Sequence, residues 1–302
     1  MATSYYTDFS TDSRASQIIS GQFLELFTGA TALTMHPALR YGGSADVRGS
    51  KVIRVPHFAL NGYDLMASTA EGTDVTSTAI GTGHTDVTIA RYALGRDVGD
   101  LARMTDPNGI LDYAKLGASM YASYTRTLLS LVCNVIDDGS TSQTCSSTAT
   151  ADDFLAAKGK LAGAAGPLLA ILHSKQWSEI QRDLGTTSGG SLQFDPATPA
   201  LVAQFGPGYA GNFAGVDIFV TDDVVSSGGD RKGGILAPDA IVWGDGIPAV
   251  DGFVPGQTLI GGKVLYEPDR NAGKGYTRFI ANAYLGVSAG ISARLCTFNS
   301  DA

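Results

Sequence analysis

Charge is what this chain has least of. Asp, Glu, Lys and Arg together make up 17% of its 302 residues, where a soluble domain ordinarily carries about a quarter. Much of the surface is therefore not ordinary solvated surface. The charge present runs negative, 29 acidic side chains against 21 basic and a net of −8, which argues against a nucleic-acid clamp, since that needs a basic patch to neutralise phosphates. Cysteine is scarce as well. Cys133, Cys145 and Cys296 are odd in number, widely spaced and without a CxxC pair, a pattern that suits small buried hydrophobes better than a disulfide framework or a zinc site. The four histidines, His36, His57, His84 and His173, share no ligand spacing, so no metal or other cofactor is expected. Long hydrophobic runs are missing too: the longest, residues 162–172, is too short for a bilayer. The N-terminus lacks the basic-then-apolar pattern of a signal peptide, and the expected compartment is a reducing cytoplasm.

Apolar residues, at 44%, rule out a disordered chain, and glycine is abundant at 38 residues. The dominant pattern is one helix over residues 106–136, with Ile110, Tyr113, Leu116, Met120, Tyr124, Leu128, Leu131, Val132 and Val135 recurring at three-and-four spacing. Asp106 suits the cap, Pro107 the first helical position, and Asp137-Asp138-Gly139 the stop. At about 1.5 Å per residue such a helix is long enough to brace a whole subunit.

Before this spine, residues 1–35 read as an arm, with Tyr5, Tyr6 and Phe9 among Ser, Thr and Asp, followed by a short amphipathic helix. Its aromatics pack either back on their own subunit or on a neighbour. Residues 51–58 (KVIRVPHF) and 85–94 (TDVTIARYAL) are strand-like. With the Gly, Thr and Ser-rich stretch 59–84 between them they make a long two-stranded hairpin, and Pro56 keeps its first arm from a central position. An isolated ribbon is marginal in water, so it needs a partner surface, which is the best physical hint of self-association.

After the spine, a helix over 152–165, an apolar strand at 168–172, a helix capped by Ser174, a strand at 216–220 and another over 235–243 alternate as a small α/β unit, with 186–208 as loop. Residues 263–266, 276–285 and 287–298 return to strands, expected as one narrow antiparallel sheet on the spine. No catalytic constellation emerges. Gly286-Val287-Ser288-Ala289-Gly290 matches G-x-S-x-G, but a nucleophile elbow needs a helix and then a histidine after it, and here a strand follows and no histidine does. Two glycines relieving a twisted strand is the better reading. Gly273-Lys274-Gly275 reads as a hairpin turn, and Asp137-Asp138, Asp222-Asp223 and Asp245 with Asp251 lack calcium-loop spacing and read as solvated turns.

The order of arm, hairpin, spine, α/β unit and closing sheet resembles the major capsid proteins of tailed bacteriophages, an α+β architecture known as the HK97-like fold. The phrases nearest that family are L-x-x-L-H-S-x-x-W at residues 169–177 and G-x-x-x-G-V-x-I-F-V-T-D-D at residues 211–223. The resemblance implies an N-terminal arm at 1–35, an extended loop at 51–94 and an axial domain at 139–256. It implies a peripheral domain from 36–50, 95–138 and 257–302. Its function would be structural and not enzymatic: hexamers and pentamers of an icosahedral virion head assembled in the host cytoplasm around double-stranded DNA. The alternatives are an encapsulin-like compartment or, further off, a serine hydrolase using Ser288. Contact between copies would involve Tyr5, Tyr6, Phe9, Lys51, Arg54, His57, Tyr63, Asp64, Arg91 and Tyr92. The loop tip contains no lysine, so lysine-mediated cross-linking of copies is not expected. The resemblance also implies a separate scaffolding protein, a portal and, in some relatives, a decoration protein, with no membrane partner.

Overall fold

The computed structural model describes residues 36–45, 51–58, 82–104, 113–161, 164, 166–186, 194–205, 208–246, 258–260 and 264–301. The expected arm, the hairpin tip and the cap at Asp106-Pro107 lie outside them. The chain forms β1 (Leu39–Ala45), β2 (Val52–Phe58), β3 (Thr82–Thr88) and β4 (Ala90–Gly99), then a short helix α1 (Asp100–Met104) and the spine α2 (Tyr113–Asp137). Strand β5 (Thr141–Thr144) leads to α3 (Ala151–Gly159), β6 (Leu168–Leu172) and α4 (Ser174–Thr186). Next come β7 (Phe194–Pro196), α5 (Pro199–Phe205), β8 (Tyr209–Phe213) and β9 (Val216–Val220). The remainder is mostly strand: β10 (Ser226–Ser227), β11 (Asp230–Leu236), β12 (Ile241–Gly246), β13 (Thr258–Ile260), β14 (Val264–Asn271), β15 (Tyr276–Ala289) and β16 (Leu295–Asp301).

Among the described residues these strands make two sheets and a ribbon. The six-stranded sheet runs β1-β12-β15-β14-β13, with β4 also paired to β15. The eight-stranded sheet runs β5-β16-β11-β6-β9-β8-β7, with β10 on β11, and the ribbon is β2–β3.

The spine serves both sheets. Leu128, Val132 and Ile136 meet Leu169, Ile171, Leu236 and Leu295 of the eight-stranded sheet together with Ile241, Trp243 and Leu285 of the six-stranded one. A turn or two earlier, Met120 and Tyr124 lie on Val98, Val264, Tyr266 and Phe279. The end of the helix is fastened by Thr297, whose hydroxyl donates to the Ile136 carbonyl (2.8 Å), and by the ion pairs Lys232–Asp137 (2.6 Å) and Arg126–Asp223 (2.8 Å). One aspartate of each of these two Asp-Asp pairs thus clasps the spine region to the sheet and is not simply solvated.

Strand β6 is buried throughout because both faces are covered. Leu169 and Ile171 point to the spine, and Leu168, Ala170 and Leu172 to a second core with Phe154, Trp177, Ile180, Phe213 and Phe298. Phe154 sits with its ring 5.4 Å from Phe213 and 6.3 Å from Phe298. Its helix, α3, begins at a capping turn in which Thr150 Oγ1 accepts from the Asp153 amide (3.1 Å). Thr150→Ala is expected to cost about 1 kcal/mol, read as a lower urea midpoint at unchanged m-value; no change in midpoint would mean that the cap is redundant. At α4 the cap is His173 and not Ser174. Nδ1 of His173 accepts from the Lys175 amide (3.0 Å), and the Gln176 side chain accepts from the His173 amide (3.0 Å). This is a capping box with an imidazole in the usual hydroxyl's place. Gln176, fully buried, also donates to the carbonyls of Arg231 and Phe298.

His36 joins the two sheets at the start of β1. Nδ1 accepts from the Ala38 amide (3.2 Å), which leaves the ring proton on Nε2, 3.4 Å from Asp217 of β9. Burial holds this imidazole below its ordinary value, with Asp217 pulling partly the other way. The folded chain therefore favours the neutral ring, whereas the unfolded chain takes up a proton near pH 6.5. The stabilising contribution is fully present above about pH 6.5 and is lost as pH falls from there through the folded-state value. His36→Gln is expected to flatten the pH dependence of urea stability between pH 7.5 and 5; an unchanged slope would show that another group governs it.

Four sequence readings are corrected. The strand expected over 85–94 is interrupted at Ile89: its first part pairs with β2, and its second, as β4, joins β15. The strand expected over 235–243 is two strands in different sheets, separated by a turn at Asp239 (φ 62°). The closing sheet divides likewise, since β15 runs through Gly286 to Ala289 and β16 leaves to pair with β11 and β5. Residues 186–208, expected as loop, contain β7 and α5. Gly273 and Gly275 do form the β14–β15 turn, with Gly275 at φ 65°.

Candidate assembly surface

The ribbon shows why it lies where it does. Cross-strand pairs run from Val52↔Thr88 to Phe58↔Thr82, and alternation sends Val55, Thr85 and Val87 inward and Arg54, Pro56, His84 and Asp86 outward. The inward row packs on Val242, flanked by Ile53 and Ile89. The floor beneath it is glycine: a Cβ on Gly42 would collide with Val55, one on Gly244 with Ile53, and one on Gly286 with the Thr88 carbonyl oxygen. Gly286, read from sequence as relief for a twisted strand, is thus a close-approach position. Ser288 lies in mid-strand, paired with Val242, with no elbow geometry. The ribbon is also anchored on its own subunit at its base, a correction to the reading of a ribbon with nothing of its own to hold.

Outward, Arg54 and Asp86 face each other directly in register and form an exposed ion pair (2.9 Å). The Arg54 hydrogen bond holds the Asp86 carboxyl below its ordinary range, and Asp86 raises Arg54 in turn. Such pairs fix register more than they add stability. His57 stacks over Gly83, where a Cβ would strike its ring, and Lys51, exposed at the ribbon's foot, accepts at its carbonyl from the Ile89 amide (2.8 Å). Arg91 lies on β4 in the six-stranded sheet, with two guanidinium nitrogens on the side-chain oxygen of buried Asn282 (3.0 and 2.7 Å). Asn282 donates onward to Glu267 (2.8 Å). Tyr92 points the other way and is half-buried against the core beside the spine. Tyr5, Tyr6, Phe9, Tyr63 and Asp64 lie outside the described residues.

The structure thus brings Lys51, Arg54 and His57 together on the ribbon, leaves Arg91 on the adjoining sheet, and withdraws Tyr92 into the subunit. Sequence reasoning passed over Arg96, Asp97 and Arg278. The last two form an ion pair (2.7 and 2.9 Å) across β4 and β15, which holds Asp97 below the usual carboxylate range. No described helix is long and apolar enough to cross a membrane, and no group of three or more metal-binding side chains occurs among the described residues.

Two sheets bridged by one long helix, with a ribbon laid over a glycine floor, make up the fold. The chain shares this fold with a structure from Mycobacterium phage Che8, at 15% identity over 82% of this chain and 84% of the other, TM-score 0.55. It shares it with the SrpI encapsulin of Synechococcus elongatus PCC 7942, at 12% identity over 87% and 85%, TM-score 0.60. The capsid of Ralstonia phage GP4 is similar too, at 9% identity over 89% and 88%, TM-score 0.58. No family model matches the sequence, and no curated protein does.

Proposed function

We propose that this chain is the major capsid subunit of a tailed double-stranded DNA phage, a structural protein that assembles into hexamers and pentamers of an icosahedral head. The observation that carries the proposal is the shared fold, which extends over more than four fifths of the chain in phage capsid structures. The sparse charge and the net of −8 suit a subunit whose surface is largely contact and whose inner wall does not hold DNA tightly.

In this reading residues 51–89 are the extended loop, the six-stranded sheet with the spine is the peripheral domain, and the eight-stranded sheet is the axial domain. Strand β12 then belongs with the periphery and β16 with the axial part. Lys51, Arg54, His57 and Arg91 serve contacts between copies, as do Tyr5, Tyr6, Phe9, Tyr63 and Asp64. A scaffolding protein supplied separately, a portal and a decoration protein belong to the same reading, as does assembly in the host cytoplasm.

Sedimentation velocity on the expressed chain tests it. Hexamers or larger assemblies are expected, and a monomer at every concentration would overturn the proposal. The likeness to an encapsulin favours a second reading, a compartment around a cargo protein. The contents of natively purified particles decide between the two: nuclease-protected DNA supports the head, and a stoichiometric enzyme supports the compartment.

A further inference from the structure

The spine grips the six-stranded sheet at two places, and small residues lie between them. Met120 and Tyr124 pack on Val98, Val264, Tyr266 and Phe279. Leu128 and Val132 pack on Ile241, Trp243 and Leu285. Between the two patches the spine presents Ser123 and Thr127, a turn on from Met120 and Tyr124. Opposite them stand Ala281 and Ala283 on the buried face of β15. Small side chains thus oppose small ones, where close packing sets large against small. The space left over is a cavity of about 120 Å³. Ala281 and Ala283 are its floor. Their partners in register, Leu94 and Tyr92 on β4 and Val264 on β14, make its walls.

The two hydroxyls in the roof are already engaged. Ser123 Oγ donates to the Ser119 carbonyl (3.0 Å) and Thr127 Oγ1 to the Ser123 carbonyl (2.8 Å), so both protons are spent within the helix. The backbone of floor and walls is paired strand to strand. A buried water needs roughly two to four polar partners, and this lining offers few. An apolar cavity of about 150 Å³ stays dry and admits benzene or xenon, and this one is close to that size. Ser123 and Thr127 are partly exposed, which puts the mouth on their side of the spine.

We propose that this cavity is a binding site for one small apolar molecule, the size of a single aromatic ring. The spine and three strands of the sheet all line it, so an occupant ties them together and stabilises the subunit by mass action. The site lies within one copy and does not depend on the shell reading.

Benzene is the test ligand. Saturation-transfer NMR on the full chain should detect it bound. At a benzene concentration about ten times its dissociation constant, the folded-to-unfolded ratio should rise about elevenfold, read from the urea midpoint. Pyrazine has the same shape but two ring nitrogens that lose their water on burial, and it should not bind. Two substitutions fill the cavity from opposite sides, Ala283→Leu from the floor and Thr127→Leu from the roof. Each should abolish benzene binding and its effect on the midpoint while circular dichroism stays that of the wild type. Should Ala283→Leu fail to fold, Thr127→Leu alone carries the test, since leucine suits an exposed-to-half-buried helical position. No benzene signal from the wild-type chain, equal binding of pyrazine, or undiminished benzene binding by a folded filled variant would overturn the proposal. A chain that binds benzene here and stays monomeric keeps this site and loses the shell reading; a chain that assembles and binds none does the reverse.

Discussion

Replacing residues 59–81 by a two-residue Asn-Gly turn is expected to give a subunit that folds and does not assemble. The last ribbon pair, Phe58↔Thr82, brings the two arms face to face in antiparallel register, the geometry that a two-residue turn of this type closes. The inward row, Val55, Thr85 and Val87, keeps its seat on Val242, so far-ultraviolet circular dichroism and the urea midpoint should stay close to wild type. What is removed is residues 59–81, the part of the proposed extended loop beyond the ribbon base. The expected sedimentation profile is a single small species where the full chain gives hexamers or more. Normal particles from the shortened chain would refute an interlocking role for the ribbon.

Gly286→Val should be the most damaging single substitution on the sheet. Its Cβ would overlap the Thr88 carbonyl oxygen and lie 2.9 Å from Val87 Cγ1. The first of these is backbone and cannot rotate aside. Relief requires lifting β3 from β15, which returns Val55 and Val87 toward water at on the order of 1.5–3 kcal/mol for each side chain. A destabilisation of about 3 kcal/mol is expected, together with new protease cleavage within the ribbon and loss of assembly. A wild-type urea midpoint and an uncut ribbon would mean that the ribbon is not seated as described. Ser288→Ala is the companion control, and it should leave fold and assembly unchanged.

What could be read from the chain alone divides by whether its cause is local. The spine, strand β6 and helix α4 were legible, since three-and-four spacing, a five-residue apolar run and a capping turn are properties of neighbouring residues. The arms of the ribbon were legible by alternation. Its termination at Ile89 was not, because Thr85 to Leu94 reads as one strand until β15 is present to pair with the second half. The turn at Pro238-Asp239 carried a usable signal inside an apolar stretch. The exchange of β12 and β16 between sheets carried none, since pairing partners are chosen across the whole chain. Strand β1 was not read at all, since Gly42 and Gly43 weaken its pattern, although Gly42 is where Val55 comes close. Within the candidate surface, Tyr92 could have been set aside: Tyr92, Leu94 and Val98 alternate as a face turned inward, opposite Arg91 and Asp97. Arg278 and Asp97 become partners only when β4 lies against β15.

The exchange has a consequence for how the molecule is made. Strand β16 inserts between β5 and β11, so β5 stays detached from the eight-stranded sheet until residues 295–301 have emerged from the ribosome. Strand β12, synthesised earlier, waits in the same way for β15. A nascent polypeptide therefore has neither sheet complete, and neither half can be excised as a self-standing module. Polysomes crowded with partial products should not seed premature lattices, and amide protons of β11 and β12 should exchange in a single cooperative opening.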